Sequence, residues 1–482
     1  MDGTGRIVAS ATAAHAPFTS PRPAWAEQEP ADWWRAAQEA IRTVLANAGM
    51  TGADVECVGL SGQMHGTVLL DADGAVLRPS IIWADQRSAA ECAWLDREIG
   101  PARLLELTSN PALTNFTLTK LLWVRTHEPE IWKRVRHVLL PKDYVRYRLS
   151  GAHAIDVSDA SGTLMLDVAN RRWSQEMLAA CDIPLDVLPA VFESPDVSAR
   201  VSREAAALTG LMQGTPIVAG AGDQAAGAVG MGITRPGAVS VTIGTSGVVF
   251  AATETPALDR KGRIHTFCHA IPGRWHVMGV TQAAGLSLRW VRDQWFRDAG
   301  HDDAAYSRMT EEASHVPAGA EGVIWAPYLM GERTPHVDPD IRAAVVGLAA
   351  SHTRGHVVRA VMEGVAFSLR DSFAIFDELD VPVNHVRVGG GGARSPLWRQ
   401  IQASVYGHRV ESLVAEEGAA YGAAILAGVG AGVWPSVDAA CDAVVRGASV
   451  TEPKPDAVAV LNERYAEFRR LYPALRSLSR PE

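Results

Sequence analysis

Three times along this chain an apolar run rich in β-branched residues ends in a glycine-rich turn and hands over to a helix or a returning strand. Ile217-Val218-Ala219 leads into Gly220-Ala221-Gly222-Asp223-Gln224 and then a small-residue helix through Ala228. Val239-Ser240-Val241-Thr242-Ile243 enters Gly244-Thr245-Ser246-Gly247, and Val248-Val249-Phe250 runs out again. His385-Val386-Arg387-Val388 precedes the glycines at 389–392 and then Ala393-Arg394-Ser395. Pro396 next fits the first turn of a helix containing Trp398, Ile401 and Val405. Such alternation predicts α/β units, in which ligands collect at the carboxyl ends of strands. Thr234-Arg235-Pro236-Gly237 interrupts the pattern, so a domain boundary is expected near Pro236, dividing the chain into 1–235 and 236–482.

The first unit follows the same grammar. A helix is expected after Pro30, with Trp34, Ala37, Ile41, Val44 and Leu45 on one stripe and Gly49 as its stop. Val55-Glu56-Cys57-Val58-Gly59-Leu60 reads as a mostly buried strand delivering the chain into Ser61-Gly62-Gln63-Met64-His65-Gly66. Asp71-Ala72-Asp73-Gly74, between Val68-Leu69-Leu70 and Ala75-Val76-Leu77, has the turn chemistry of a hairpin.

Composition narrows the partners. With 45 basic against 54 acidic residues the net charge is −9, and without long Lys/Arg runs there is no electrostatic footprint for nucleic acid or an anionic membrane surface. No apolar run reaches the ~18 residues of a membrane span and residues 1–10 do not read as a signal peptide, so a cytoplasmic protein is expected. Five scattered cysteines, Cys57, Cys92, Cys181, Cys268 and Cys441, form no Cys-x-x-Cys pair and read as small buried hydrophobes rather than a disulfide or zinc framework.

Several residues carry possible chemistry. The glycines of Gly244-Thr245-Ser246-Gly247 let backbone N–H groups turn around an anion while the hydroxyls add donors, although a hairpin turn alone explains the same residues. The run 389–392 allows close approach of a ligand or simply a tight strand-to-helix turn. Asp223, among Gly220, Gly222, Ala225 and Ala226, has no bulky neighbour in sequence; it could accept a proton from a substrate hydroxyl or cap the helix that follows. His65 has no partner at i+3 or i+4, so a polar ligand contact or a satisfied loop histidine is expected in place of a metal ligand.

The chain resembles the FGGY family of carbohydrate kinases, and within it the xylulose-phosphorylating branch. Ala343-Ala344-Val345-Val346-Gly347-Leu348 followed after seven residues by His356-Val357-Val358-Arg359-Ala360-Val361-Met362-Glu363 matches the family's second signature. Thr117-Leu118-Thr119-Lys120-Leu121-Leu122-Trp123-Val124 matches the first, with Asn115 departing at its first position. Leu140-Pro141-Lys142-Asp143-Tyr144, Ser158-Asp159-Ala160-Ser161-Gly162-Thr163 and Tyr328-Leu329-Met330-Gly331-Glu332-Arg333-Thr334-Pro335 are similar to that branch as well.

The resemblance implies a two-domain α/β fold of the actin and hexokinase (ribonuclease H-like) type, with a mixed sheet in each half and the active site in the cleft between them. It implies ATP-dependent phosphorylation of D-xylulose to D-xylulose 5-phosphate, with Mg²⁺, the first domain binding the sugar and the second the nucleotide. Carried over by motif, Asp223 is the general base, and Gln63, Met64, His65 and Gln224 join it in binding the sugar. Gly244, Thr245, Ser246 and Gly247 form a phosphate loop, and Gly390, Gly391, Gly392, Ala393 and Arg394 the adenosine-side loop. No metal ligand is assigned. Glycerol kinases tend to carry an Arg-Glu pair in this loop, whereas this chain has Gln63-Met64-His65, in which Met64 offers an apolar wall and His65 a hydrogen-bond donor or acceptor for a neutral polyol; ribulose, gluconate or another polyol stays open as the acceptor. The partners implied are the sugar and ATP, without nucleic acid or membrane, and a homodimer is compatible.

One departure bears on activity. Family members begin with an apolar strand and a Gly-x-Asp-x-Gly-Thr-Ser loop for the ATP phosphates. Met1-Asp2-Gly3-Thr4-Gly5 resembles that loop, but Arg6-Ile7-Val8-Ala9 matches the return strand of the next hairpin, so Asp2 to Gly5 is expected at the hairpin turn. The chain as given is then short of a strand and a phosphate loop, through an upstream start or by nature. Reduced kinase activity, or sugar binding without phosphorylation, is the expectation for it.

Overall fold

The computed structural model describes residues 1–297, 303–414 and 418–479. Asp2 closes a turn, with its side chain accepting from the N–H groups of Thr4 (3.0 Å) and Arg6 (3.1 Å) and Gly5 N–H donating to Asp2 O (3.0 Å). The return strand expected over residues 6–9 does not form. Ile7 and Val8 are exposed, and beyond the bond from Asp2 N–H to Arg6 O this backbone pairs with no strand among the described residues.

Helix α1 (Pro30–Ala48) begins on a proline, whose missing N–H costs nothing in a first turn, and stops at Gly49, left-handed at φ 64°. Trp34 is buried in a core with Val68, Leu70 and Ile217, and Ala37 and Ile41 pack beside it. The chain next runs extended through residues 55–60 into β1 (Ser61–Gly62). The expected strand is bonded along one edge only: Val58 N–H donates to Pro216 O (2.9 Å), Val218 N–H to Val58 O (3.0 Å) and Ala221 N–H to Leu60 O (3.1 Å). Cys57 and Gly59 make no backbone hydrogen bond on the other edge among the described residues, so the run is half-buried and breaks into isolated bridges instead of a ladder.

β2 (Val68–Leu70) enters the predicted turn, where Asp71 N–H donates to Ala75 O and Gly74 takes φ 76°. Helix α2 (Thr117–His127) is buried from Thr117 to Val124. β3 (His137–Leu139) pairs antiparallel with β2. After α3 (Val157–Ser161) come β4 (Pro216–Val218), β5 (Ala221–Gly222), which runs parallel to β1, and helix α4 (Asp223–Gly230).

The second half is built on one seven-stranded sheet. It contains β6 (Gly237–Ile243), β7 (Gly247–Thr253), β8 (His265–Cys268) and β9 (Trp275–Thr281). Helices α5 (Gly285–Trp295), α6 (Asp303–Ser314) and α7 (Arg354–Glu378) follow, then β10 (Val383–Gly390). Helix α8 (Pro396–Tyr406), β11 (Val410–Leu413), helix α9 (Gly418–Gly430) and β12 (Gly447–Thr451) complete it. The strand order is β8-β9-β7-β6-β10-β11-β12; β6, β10 and β11 run parallel and the outer neighbours antiparallel.

The two faces of this sheet serve different cores. Val239, Val241, Ile243, Val249 and Ala251 bury against α7 in the second half's own core. Phe250, Ala252, Phe267 and Met278 point the other way and share a core with Met64 and Phe116 from the first half. The period-two alternation of a strand therefore joins the halves directly behind the loops that carry the chemistry. Helix α9, late in the chain, lies on α4 so closely that a Cβ at Gly422 would sit 1.8 Å from Ala226 O.

Candidate active site

The loop after β1 holds the first group of residues. Met64 and His65 are both buried. Gly162 and Gly222 make room for them: a Cβ on Gly162 would lie 2.7 Å from His65 Nδ1, and one on Gly222 would lie 2.8 Å from Met64 Cγ. Gln63 donates to Gln28 Oε1 (2.8 Å), while its own Oε1 is buried without a partner. His65 adopts φ 68°, its ring meets Phe116 edge-on at 5.1 Å, and Nδ1 lies 2.7 Å from Gly162 O. Burial pushes its pKa down to about 3, with Lys120 and Arg333 acting in the same direction against the Gly162 bond. The imidazole is therefore neutral, Nδ1 must be the donor to that carbonyl, and Nε2 is left as an acceptor with no partner among the described residues.

Asp223 is the first residue of α4, brought beside this loop by the parallel pairing of β5 and β1. Gly222 occupies the cap position, and the Asp223 carboxylate meets the first-turn N–H of Gln224, which leaves its role as a base open. Burial raises its pKa to about 6 against hydrogen bonding with Gln224. Asp223 and Gln224 line a cavity of about 650 Å³ that extends past Thr242 to Gly390, Gly391, Ala393 and Arg394.

The turn Gly244-Thr245-Ser246-Gly247 and the loop 389–394 sit side by side because β6 and β10 pair in parallel, Ile243 opposite Gly390. Gly390 has φ 70°, and a Cβ there would lie 2.5 Å from Ile243 O. Thr245 O accepts from the N–H groups of Ala284 (3.0 Å) and Leu286 (3.1 Å), so the start of α5 fixes the turn while the Thr245 side chain stays exposed. A second cavity, of about 440 Å³, is lined by Gly244, Thr245, Arg289, Tyr306, Gly391 and Ser395, among others. Gly391 and Arg394 line both cavities, so the two are neighbours. Asp223, Gln224, Gly244, Thr245 and Gly390 to Arg394 are thus gathered along these walls. Met64 packs against Gly222 and His65 against Gly162, Gln63 is tied to Gln28, and the chain turns through Ser246 back into β7 at Gly247.

A charged cluster escaped the sequence reading. Lys142 Nζ lies against Asp143, 2.9 Å from Asp156 and 3.5 Å from Asp159, all fully buried. Burial opposes its charge, but the three carboxylates prevail and hold the ammonium protonated. These aspartates form the group of three metal-capable side chains found among the described residues, and the ammonium already stands between them, so the cluster does not fit a metal ion. Lys142, Asp143 and Asp159 stand in recognised segments, but only folding shows that they converge. Glu332 and Arg333 are likewise buried or half-buried: Glu332 accepts from the N–H groups of Gln282 and Arg333 and from Ser368 Oγ, and burial raises it to about 8.

Comparison with known proteins gives one family across the chain. The FGGY family of carbohydrate kinases matches through its N-terminal domain at residues 1–230 and its C-terminal domain at residues 239–431. The chain is 37% identical over 479 residues to the xylulose kinase of Bacillus subtilis, covering 99% of this chain and 95% of that protein. It is 40% identical over 432 residues to the xylulose kinase of Escherichia coli, covering 89% and 87%. The gluconokinase of Bacillus subtilis is 31% identical over 434 residues, covering 88% and 82%. The crystal structure of xylulose kinase from Rhodospirillum rubrum superposes with a TM-score of 0.88 at 34% identity, covering 96% of this chain and 93% of that one.

Proposed function

Because this chain belongs to the FGGY family of carbohydrate kinases, we propose that it transfers the γ-phosphoryl group of ATP to D-xylulose, forming D-xylulose 5-phosphate and ADP. The observation that carries the chemistry is Asp223, a carboxylate at the mouth of α4 opening into the cavity that leads to the loop 389–394. Phosphoryl transfer asks the protein mainly to position the reactants and to take up the hydroxyl proton. A carboxylate raised to about 6 is ionised at neutral pH yet more basic than an ordinary aspartate, which suits it to that proton.

The bond forms between the sugar oxygen and the γ-phosphorus while the β–γ bridging bond breaks; the hydroxyl proton goes to Asp223 and ADP leaves. Met64 offers the sugar an apolar wall, His65 Nε2 accepts from a hydroxyl, and Gln63 and Gln224 supply amides. Thr245 faces the phosphates, the Gly244 N–H being spent on Ser246 O (2.9 Å), and Gly390 to Arg394 face the adenosine side. On this reading residues 1–235 serve the sugar and 236–482 the nucleotide. Among the described residues Asp223 is the carboxylate that lines its cavity, and a Mg²⁺ brought in with the nucleotide would supply neutralisation of the phosphate charge there. No helix among the described residues is long and apolar enough to cross a membrane, and we place the enzyme in the cytoplasm.

The gluconokinase relative favours a second acceptor, since a shared fold and site can serve a sugar acid. A coupled ADP assay over D-xylulose, D-ribulose, D-gluconate and glycerol separates the two. D-Xylulose should give the highest kcat/KM by at least about tenfold, roughly what one well-placed hydrogen bond contributes. Preference for gluconate would replace the first reading by the second.

A further inference from the structure

We propose that Lys120 and Thr117 are positioning residues for the acceptor sugar: from α2 they clamp the main-chain carbonyl of His65 and hold that residue in the backbone conformation that presents its imidazole to the sugar. The inference deepens the reading of His65 as a sugar contact and rests on it.

The backbone of His65 is the starting observation. Its φ of 68° lies in the left-handed region, which a residue with a Cβ occupies only where its surroundings impose it. Lys120 Nζ donates to His65 O at 2.7 Å and to Asn115 O at 2.6 Å. Thr117 Oγ1 donates to the same His65 oxygen at 3.2 Å. Both donors are fully buried, one turn apart on one face of α2.

Lys120 pairs with no carboxylate among the described residues, its polar contacts being the two carbonyls. An ammonium buried with no carboxylate in contact, Asp85 acting on it only from a distance, is costly, and an apolar side chain would fill the same space without that cost. Burial duly pulls its pKa down to about 7. Its use is therefore in what the two hydrogen bonds hold.

The other side of His65 is fixed independently. Nδ1 is spent on Gly162 O, and Phe116, the residue preceding α2, packs edge-on against the ring. Main chain and ring are thus both restrained, and the lone pair of Nε2 is the group left to meet a ligand. A histidine retained for packing alone would not need its carbonyl gripped by two buried donors. The clamp explains in physical terms why threonine and lysine stand three residues apart in this helix: that spacing brings both to one carbonyl.

The test uses the full chain, four single variants, Lys120→Met, Thr117→Val, Thr117→Ser and His65→Ala, and one double variant. Lys120→Met should raise the KM for D-xylulose roughly ten- to hundredfold, the scale of a lost charge-assisted hydrogen bond, while the KM for ATP stays within about twofold. Thr117→Val should raise the sugar KM about threefold or more, and Thr117→Ser, which keeps the hydroxyl, should restore it. Lys120→Met combined with His65→Ala should be no worse than the poorer single variant, because both remove one contact.

A merely structural role would lower the melting temperature or kcat and leave the sugar KM unchanged, and that result overturns the proposal. So does a double variant whose effect is the product of the singles. If Lys120→Met does not fold, Thr117→Val decides alone, and an unchanged sugar KM refutes the clamp. An unchanged sugar KM in His65→Ala removes the His65 reading itself. An impaired His65→Ala beside an unimpaired Lys120→Met removes only the clamp.

Discussion

Replacing Asp223 by asparagine should damage turnover and strengthen the fold at the same time, and the second effect is set by pH. Loss of a general base costs about 10²- to 10⁴-fold in kcat. The stability change follows from a carboxyl raised from 3.8 to about 6 in the folded chain. The folded state then holds its proton more tightly than the unfolded chain does. Below the unfolded value both states are protonated and nothing is lost; as pH rises toward the folded value the unfolded chain ionises first, and stability falls until both are ionised. About two pK units at 1.36 kcal/mol each give about 3 kcal/mol, an upper figure because the side chain keeps some contact with water. Asparagine has the same shape and never ionises. Asp223→Asn should therefore match the parent near pH 4 and exceed it by up to about 3 kcal/mol near pH 8, read as a rise of a few degrees in the melting temperature. Sugar binding by calorimetry should persist in the variant. Turnover within about tenfold of the parent, or a stability gap that is the same at both pH values, would refute the assignment of Asp223 as a buried base.

Other consequences are open to simple assays. In the parent enzyme kcat should fall about tenfold per unit as pH drops below about 6, since the base must be ionised; a flat profile across that range contradicts it. Gly390→Ala should raise the KM for ATP and lower the melting temperature, because the new Cβ meets Ile243 O at 2.5 Å in a left-handed backbone; unchanged values would mean that the loop relaxes freely. Lys142→Met leaves Asp156 and Asp159 without their buried cation while Asp143 keeps Arg146 at 2.8 Å, and a loss of about 3–5 kcal/mol in chemical unfolding is expected. A loss below about 1 kcal/mol would show that those carboxylates are protonated in the parent.

What could be read from the residues was mostly local. Pro30 and Gly49 bracket α1, the Asp71–Gly74 turn forms as its residues demand, and Ser395 and Pro396 open α8 with Trp398 and Ile401 buried. Residues 55–60 predict a mostly buried strand, but β-structure depends on both neighbours, and one bonded edge leaves it in fragments. Residues 6–9 have no bonded strand edge among the described residues, and no strand forms there. At the site, Asp223, the loop 389–394 and His65 were visible because glycine-rich turns and isolated polar residues stand out. The tautomer of His65 is not legible in the sequence: it depends on Gly162, 97 residues away, accepting from Nδ1. Nor was the convergence of Lys142 on Asp156 and Asp159, which long-range packing alone brings about.

The central claim is that this chain moves a phosphoryl group from ATP to a hydroxyl of D-xylulose. Phosphorus NMR of the protein incubated with MgATP and D-xylulose tests it most directly. A phosphomonoester signal coupled to the C5 protons should appear together with ADP in equal amount. ADP with inorganic phosphate and no sugar ester, or no change in the nucleotide signals, would contradict it.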